Sequence, residues 1–176
     1  MRTLLFTVAA ACFAAVAAEA QTNPVSSALT SAFDAVGRNV TEAAEAMPES
    51  EYGFQPTPEV RTFGQLVGHV ANAQYRFCSG LVGEQSPATA NFEQELTSKA
   101  DLVKAMQDAT AYCASAYAGV TDARLAEMVP LFGSEMPAGA VMANNTSHSN
   151  EHYGNMVTYL RIKGIVPPST ARQSMD

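Results

Sequence analysis

The chain has 176 residues and a formal net charge of −7, from 17 acidic and 10 basic side chains. An acidic chain with no basic cluster excludes nucleic acid and anionic membrane surfaces as expected partners. The length suits one domain with a sizeable core, and no low-complexity tract, repeat or long linker divides it.

Met1-Arg2 precedes an apolar stretch from Leu4 to Ala18, and Ala18-Glu19-Ala20 stands before Gln21. A positive start, a short apolar run and an Ala-x-Ala site predict a secretory signal peptide over residues 1–20. The run is too short and too Ala-rich for a membrane span, which needs roughly 20 strongly apolar residues. Cys12 fits poorly as a lipidated residue, because Ala9 stands where Leu is usual and the apolar run continues past the cysteine. The domain, residues 21–176, is therefore expected to be exported, periplasmic or secreted, with no membrane association after cleavage. It keeps two cysteines, Cys78 and Cys113, and export permits a disulfide between them.

Nearly all of this domain reads as helix. The first predicted helix runs from Val25 to Met47, with Leu29, Phe33, Val36, Val40 and Ala43 at helical spacing, and Pro48 stops it. Residues 49–61 carry Gly53, Pro56 and Pro58 and cannot be helical throughout. Tyr52 and Phe54 within them are expected to pack over the end of a bundle. Thr62-Phe-Gly-Gln65 forms a capping box, followed by a stripe of Phe63, Leu66, His69, Val70, Ala73, Phe77 and Leu81 that ends at Gly83. Residues 84–97 form a connection. A third helix starts near Thr97 or Ser98 and carries Val103, Met106, Thr110, Cys113 and Tyr117. Residues 122–129 suit a short helical turn. The fourth helix starts near Pro137 and presents Val141, Asn145, His148, His152, Met156 and Tyr159 on one face. Gly164 is its natural C-terminal residue, and Pro167-Pro168 forbids continuation. Four amphipathic helices without a convincing alternating strand predict an all-α four-helix bundle.

The cysteines constrain the topology. Each lies 16 residues beyond the expected start of its helix, Thr62 or Thr97. A bridge needs Cα atoms within about 7 Å, so Cys78–Cys113 pairing requires the second and third helices to run parallel, with residues 84–97 crossing back along the bundle. The alternative is two small buried thiols.

The chain has three histidines, His69, His148 and His152, all on apolar helical stripes. The i, i+4 pair His148/His152 stacks on one helix face. Three buried imidazoles with no shared purpose would leave several polar nitrogens to satisfy in one core. One divalent ion satisfies a nitrogen on each and leaves a position open for water, as in catalytic zinc sites. The same nitrogens suit nickel, iron, manganese or copper. His148-Ser-Asn-Glu-His152 also matches a metallopeptidase string, but Glu151 is rotated by about 100° from His152, and only Asp176 remains downstream as an acidic ligand. Asn145, Ser149 and Tyr159 share the histidine face and are possible pocket residues, or ordinary helix and core polar groups.

Two stretches carry a family likeness. Pro56-Thr-Pro-Glu-Val-Arg-Thr-Phe-Gly-Gln-Leu-Val-Gly-His69-Val resembles the second-helix motif of the DinB-like (YfiT-like) four-helix proteins, and His148-Ser-Asn-Glu-His152-Tyr-Gly-Asn-Met-Val-Thr-Tyr-Leu resembles their fourth-helix motif. The resemblance implies a long crossover between helices two and three, and a divalent metal, often zinc or nickel, on His69, His148 and His152. It implies a small-molecule substrate and metal-dependent hydrolase or thiol-transferase chemistry. The resemblance and the low charged fraction, 15%, also suit a homodimer. Against the enzyme stand a non-catalytic bundle that binds a small ligand or metal, and a metal-free bundle with structural histidines.

Overall fold

A computed structural model describes residues 23–174. The expected signal peptide, its cleavage site and Cys12 lie outside the described residues. Among the described residues no helix is long and apolar enough to cross a membrane.

Helix α1 spans Pro24–Ala46. Its N-terminus has no local side-chain cap. The free amides of Val25 and Ser26 donate instead to the Asp122 carboxylate, at 3.2 and 2.7 Å, so a residue 96 positions away closes the helix. A short 3-10 turn, Glu49–Glu51, follows. As expected, the aromatics of this segment cover the bundle end: Tyr52 packs edge-on against Phe63 and donates to Ala44 O at 2.6 Å, and Phe54 meets Tyr159.

Helix α2, Phe63–Val82, begins with the expected capping box and ends at Gly83 in the left-handed conformation, φ 72°. The connection to the next long helix carries a four-residue helix, α3, Phe92–Glu95. Helix α4, Lys99–Ala118, starts behind Ser98, whose hydroxyl accepts from the Asp101 amide at 3.1 Å. After a 3-10 turn at Asp122–Ala126 the chain departs from the expectation of helices alone. Strands β1, Met128–Leu131, and β2, Ser134–Pro137, pair antiparallel with Leu131 opposite Ser134. Phe132 and Gly133 form the two-residue turn with φ values of 51° and 81°, the left-handed pair that a tight hairpin requires. Helix α5, Ala138–Ile162, follows directly, and a six-residue helix α6, Pro168–Gln173, closes the described chain. Neither hairpin nor α6 has a periodic pattern long enough to announce itself.

The four long helices form a four-sided bundle in which α2 and α1 each lie against both α4 and α5. Gly64 meets Leu102, Gln74 accepts from Thr110 at 3.0 Å, and Cys78 is bonded to Cys113. Early residues meet early and late meet late, so α2 and α4 are parallel. Residues 83–98 consequently return along the bundle. The core between the helices contains Phe33, Val40, Phe63, Val70, Met106, Tyr117, Met142, Met156 and Leu160, each almost fully buried.

The Cys78–Cys113 bridge has a Cα–Cα distance of 5.3 Å and spans 35 residues. The Asn145 amide nitrogen lies 3.5 and 3.6 Å from the two sulfurs and 3.2 Å from the Tyr117 hydroxyl. Closing a loop of that length removes unfolded-state entropy equivalent to about 4 kcal/mol in the chain-entropy treatment. Denatured protein prepared without reductant is therefore expected to show no reactive thiol if residues 1–20 are removed, and only Cys12 if they are retained. Two additional thiols would contradict the bridge. The Cys78→Ser/Cys113→Ser double variant should lose stability by about 2–4 kcal/mol in denaturant titration.

Candidate metal centre

The three histidines come from two antiparallel helices. His69 lies two turns into α2, and His148 and His152 lie one turn apart on α5. His69 Nε2 is 3.1 Å from His148 Nε2, which is 3.2 Å from His152 Nε2. One ring nitrogen from each residue falls within 4.8 Å of the others. Nitrogens bound at about 2.0–2.1 Å with tetrahedral angles lie about 3.4 Å apart, close to the two shorter separations. The donor chemistry also fits a cation. A ring nitrogen carries either one proton or one lone pair, so His148 Nε2 can hydrogen-bond only one of its two imidazole neighbours. A cation shared by all three nitrogens satisfies every lone pair. The group could therefore hold a metal ion.

Glu93 on α3 completes the arrangement. Its Oε2 accepts from His69 Nδ1 at 2.9 Å and its Oε1 accepts from Arg61 Nε at 2.8 Å. A carboxylate on Nδ1 fixes the His69 tautomer and leaves the Nε2 lone pair facing the cluster. Burial raises the Glu93 pKa, but hydrogen bonds from Arg61 and His69 outweigh it and hold the carboxyl below its ordinary value. Tyr159 on α5 donates to Arg61 O at 2.7 Å. A continuous chain of contacts thus runs Tyr159, Arg61, Glu93, His69.

Glu93 reaches His69 because Gly68 precedes it. A Cβ on Gly68 would sit 2.7 Å from Phe92 O and from Glu93 N, so only glycine admits the crossover segment this close to α2. Asn72, one turn further along, accepts from the Phe92 amide at 3.3 Å and donates to Asn91 at 2.9 Å. Asn155 Nδ2 lies 3.3 Å from His152 Nδ1 and can donate to it; for Nδ1 to carry the proton while Nε2 binds a metal, the amide must turn its oxygen to the ring. His148 Nδ1 is buried without a hydrogen-bond partner, and its ring is set by packing, with Phe77 at 5.9 Å.

Two cavities flank the cluster. One of about 530 Å³ is lined by His152, Arg61, Glu93, Asn155 and Tyr159 among others. The second, about 380 Å³, is lined by His69, His148, Arg61, Arg76, Glu93 and Phe132 among others. Of the residues singled out in the sequence, Tyr159 faces the first cavity. Asn145 and Ser149 are fully buried and line neither cavity: Asn145 covers the disulfide, and Ser149 Oγ has no partner. Glu151 is exposed, as its rotation from His152 implies. Sequence reasoning misses Glu93, Arg61 and Asn155. Only Gly68, beside His69, hints that something packs tightly there.

Glu93→Gln is expected to weaken metal binding about 10- to 100-fold, as loss of an outer-shell partner does. Gly68→Ala should weaken it in the same direction by pushing α3 away. The two effects share one contact, so the double variant should be weaker than additive in a competition titration with a chromophoric chelator. Fully additive losses would place the roles of the two residues elsewhere.

Burial pushes His152 down from 6.5 to about 4, and the neighbouring His148 and His69 add to the shift. Burial, with His69 beside it, also lowers His148. Between about pH 4 and 6.5 the unfolded chain therefore binds more protons at His152 than the folded chain does. Stability must fall as pH drops through that window. Denaturation midpoints of chelator-treated protein should decline from pH 6.5 toward 4, with a shallower decline in His152→Asn.

The sequence matches the DinB superfamily over residues 32–156. No curated protein matches the chain. Among solved structures, a DinB-like protein from Bacillus cereus is 19% identical with a TM-score of 0.65, over 76% of this chain and 89% of that one. A DinB-like protein from Bacillus subtilis is 20% identical with a TM-score of 0.62, over 77% and 91%. A mycothiol-dependent maleylpyruvate isomerase is 14% identical with a TM-score of 0.62, over 74% of this chain and 60% of that one. At these identities the structures share the fold, and the match over residues 32–156 extends the likeness to sequence: the chain belongs to the DinB superfamily.

Proposed function

We propose that this protein is an exported, metal-dependent enzyme of hydrolase or thiol-transferase type that acts on a small molecule. It would use a divalent ion, zinc or nickel, on His69, His148 and His152. The observation that carries the reading is the convergence of the three Nε2 atoms between two cavities. A divalent ion there supplies a Lewis acid that lowers the pKa of a water or thiol brought to it. The chain's own residues set up that chemistry. Glu93 holds His69 with its Nε2 lone pair toward the cluster, Arg61 keeps Glu93 ionised, and Tyr159 fixes the backbone of Arg61. Glu93 is engaged on both oxygens and is a poor general base, so the proton must leave through a bound solvent or substrate group. Thiol transfer draws support from a fold shared with a mycothiol-dependent isomerase. Export draws support from the leader-like residues 1–20 and from a disulfide, which suits an oxidising compartment.

Protein isolated from its native compartment is expected to carry about one zinc or nickel per chain by elemental analysis. His148→Ala should carry little and still fold around the remaining core. The loaded protein should then turn over a member of an ester and thiol-acceptor panel, and chelated protein should not. Bound metal without turnover across the panel would favour a non-catalytic binding bundle. No metal and no metal affinity would refute the metal centre.

A further inference from the structure

The second cavity has a cation that the metal centre does not use. Among the described residues five of the eight other basic side chains meet a carboxylate: Arg61 with Glu93, Lys104 with Asp108, Arg124 with Glu127, Lys163 with Glu51 and Arg172 with Glu42. Lys99 and Arg161 donate to neutral oxygens. Arg76 forms no ion pair or side-chain hydrogen bond among the described residues. Its guanidinium carbon lies 4.6 Å from the centre of the Phe132 ring, an arrangement that holds the planar group while leaving its N–H edges free. Arg76 is seven residues beyond His69 on α2, two turns along the same face and about 10 Å away along the axis. Both side chains line the cavity, with His148.

Phe132 is a costly choice for its position. It occupies the first of two left-handed turn residues, φ 51°, where Asn, Asp or Gly is the usual occupant and a bulky side chain is disfavoured. It is also 57% exposed, so core burial does not explain it. Its ring instead bridges Arg76 and Phe77, the latter at 5.3 Å, and Phe77 in turn packs on His148. The hairpin reaches α2 because Gly80 lacks a Cβ, which would sit 2.7 Å from Pro130 O. In the same wall Asn72 donates to Asn91 Oδ1 and accepts from the Phe92 backbone amide.

We propose that the cavity between His148, Arg76 and Phe132 is a subsite for an anionic group, carboxylate or phosphate, carried by a small organic substrate, and that Arg76 anchors it. The substrate class rests on the metal-enzyme reading above, but the anion subsite itself stands on Arg76 and Phe132. A two-turn separation suits a ligand whose charged group lies several bonds from its reacting atom.

Calorimetric or NMR titration with succinate, its uncharged diamide and glycerol 1-phosphate tests the subsite, using zinc-loaded and chelator-stripped wild type in parallel. At least one of the two anions is expected to bind about tenfold tighter than the diamide in both forms. Arg76→Met should abolish that preference, and Arg76→Lys should retain part of it. Phe132→Ala should weaken it by loosening the guanidinium. Preference for succinate assigns the subsite to carboxylates, and preference for glycerol 1-phosphate assigns it to phosphates. Charge discrimination that survives in chelator-stripped wild type keeps the subsite even if the metal reading fails. Equal binding of anions and diamide, or Arg76→Met binding like wild type, would overturn the proposal. Arg76 is exposed, so its variants are expected to unfold at the wild-type temperature.

Discussion

Because α2 and α4 point the same way, the chain between them must travel back the length of the bundle, and it does so across α2. That return path is what brings Glu93 to His69. An antiparallel hairpin would have left residues 83–98 as a short turn at the far end of the bundle, with no carboxylate near the histidines. The close approach needs Gly68, whose missing side chain makes room for the Phe92 backbone. It is held by Asn72, which takes up the Phe92 amide and the Asn91 side chain. The disulfide ties the same two parallel helices at their other end. Topology, crossover and covalent link therefore form one construction, with the histidine cluster on its α5 side.

The electrostatics follow from that construction. His148 and His152 on α5 share a partly buried space with His69 on α2, and burial disfavours protonation of the two α5 imidazoles. Neutral imidazole is the form that offers a lone pair, so the environment that lowers proton affinity at His152 also prepares it as a ligand. Glu93 supplies the opposite influence at one point only, on the outer nitrogen of His69, and Arg61 balances its charge. The cluster thus has a fixed side, governed by Glu93, and a side governed by packing against Phe77.

Much of this was legible in the sequence because it depends on local rules. The Thr62 capping box, the Gly83 and Gly164 helix ends and the i, i+4 histidine pair follow from backbone geometry over a few residues. The matched offsets of Cys78 and Cys113 carried the parallel topology, since a covalent link converts sequence position into helix direction. What escaped was set by tertiary packing. Glu93 sits on a single helical turn with no periodicity of its own. The hairpin has two four-residue strands with Pro130 and Pro137 within them and a Phe in its turn, so neither alternation nor turn chemistry marked it. Asn145 shares the face of His148, yet one turn of helix moves it from the cavity to the disulfide.

The central claim is that three imidazoles and no thiolate bind one ion, and X-ray absorption at the edge of the bound metal tests it most directly. With zinc or nickel loaded, the account predicts a first shell of nitrogen and oxygen at about 2.0–2.1 Å with the multiple-scattering signature of three imidazoles. That signature should fall to two in His69→Ala. A sulfur shell near 2.3 Å, or an imidazole count that His69→Ala leaves unchanged, would contradict it.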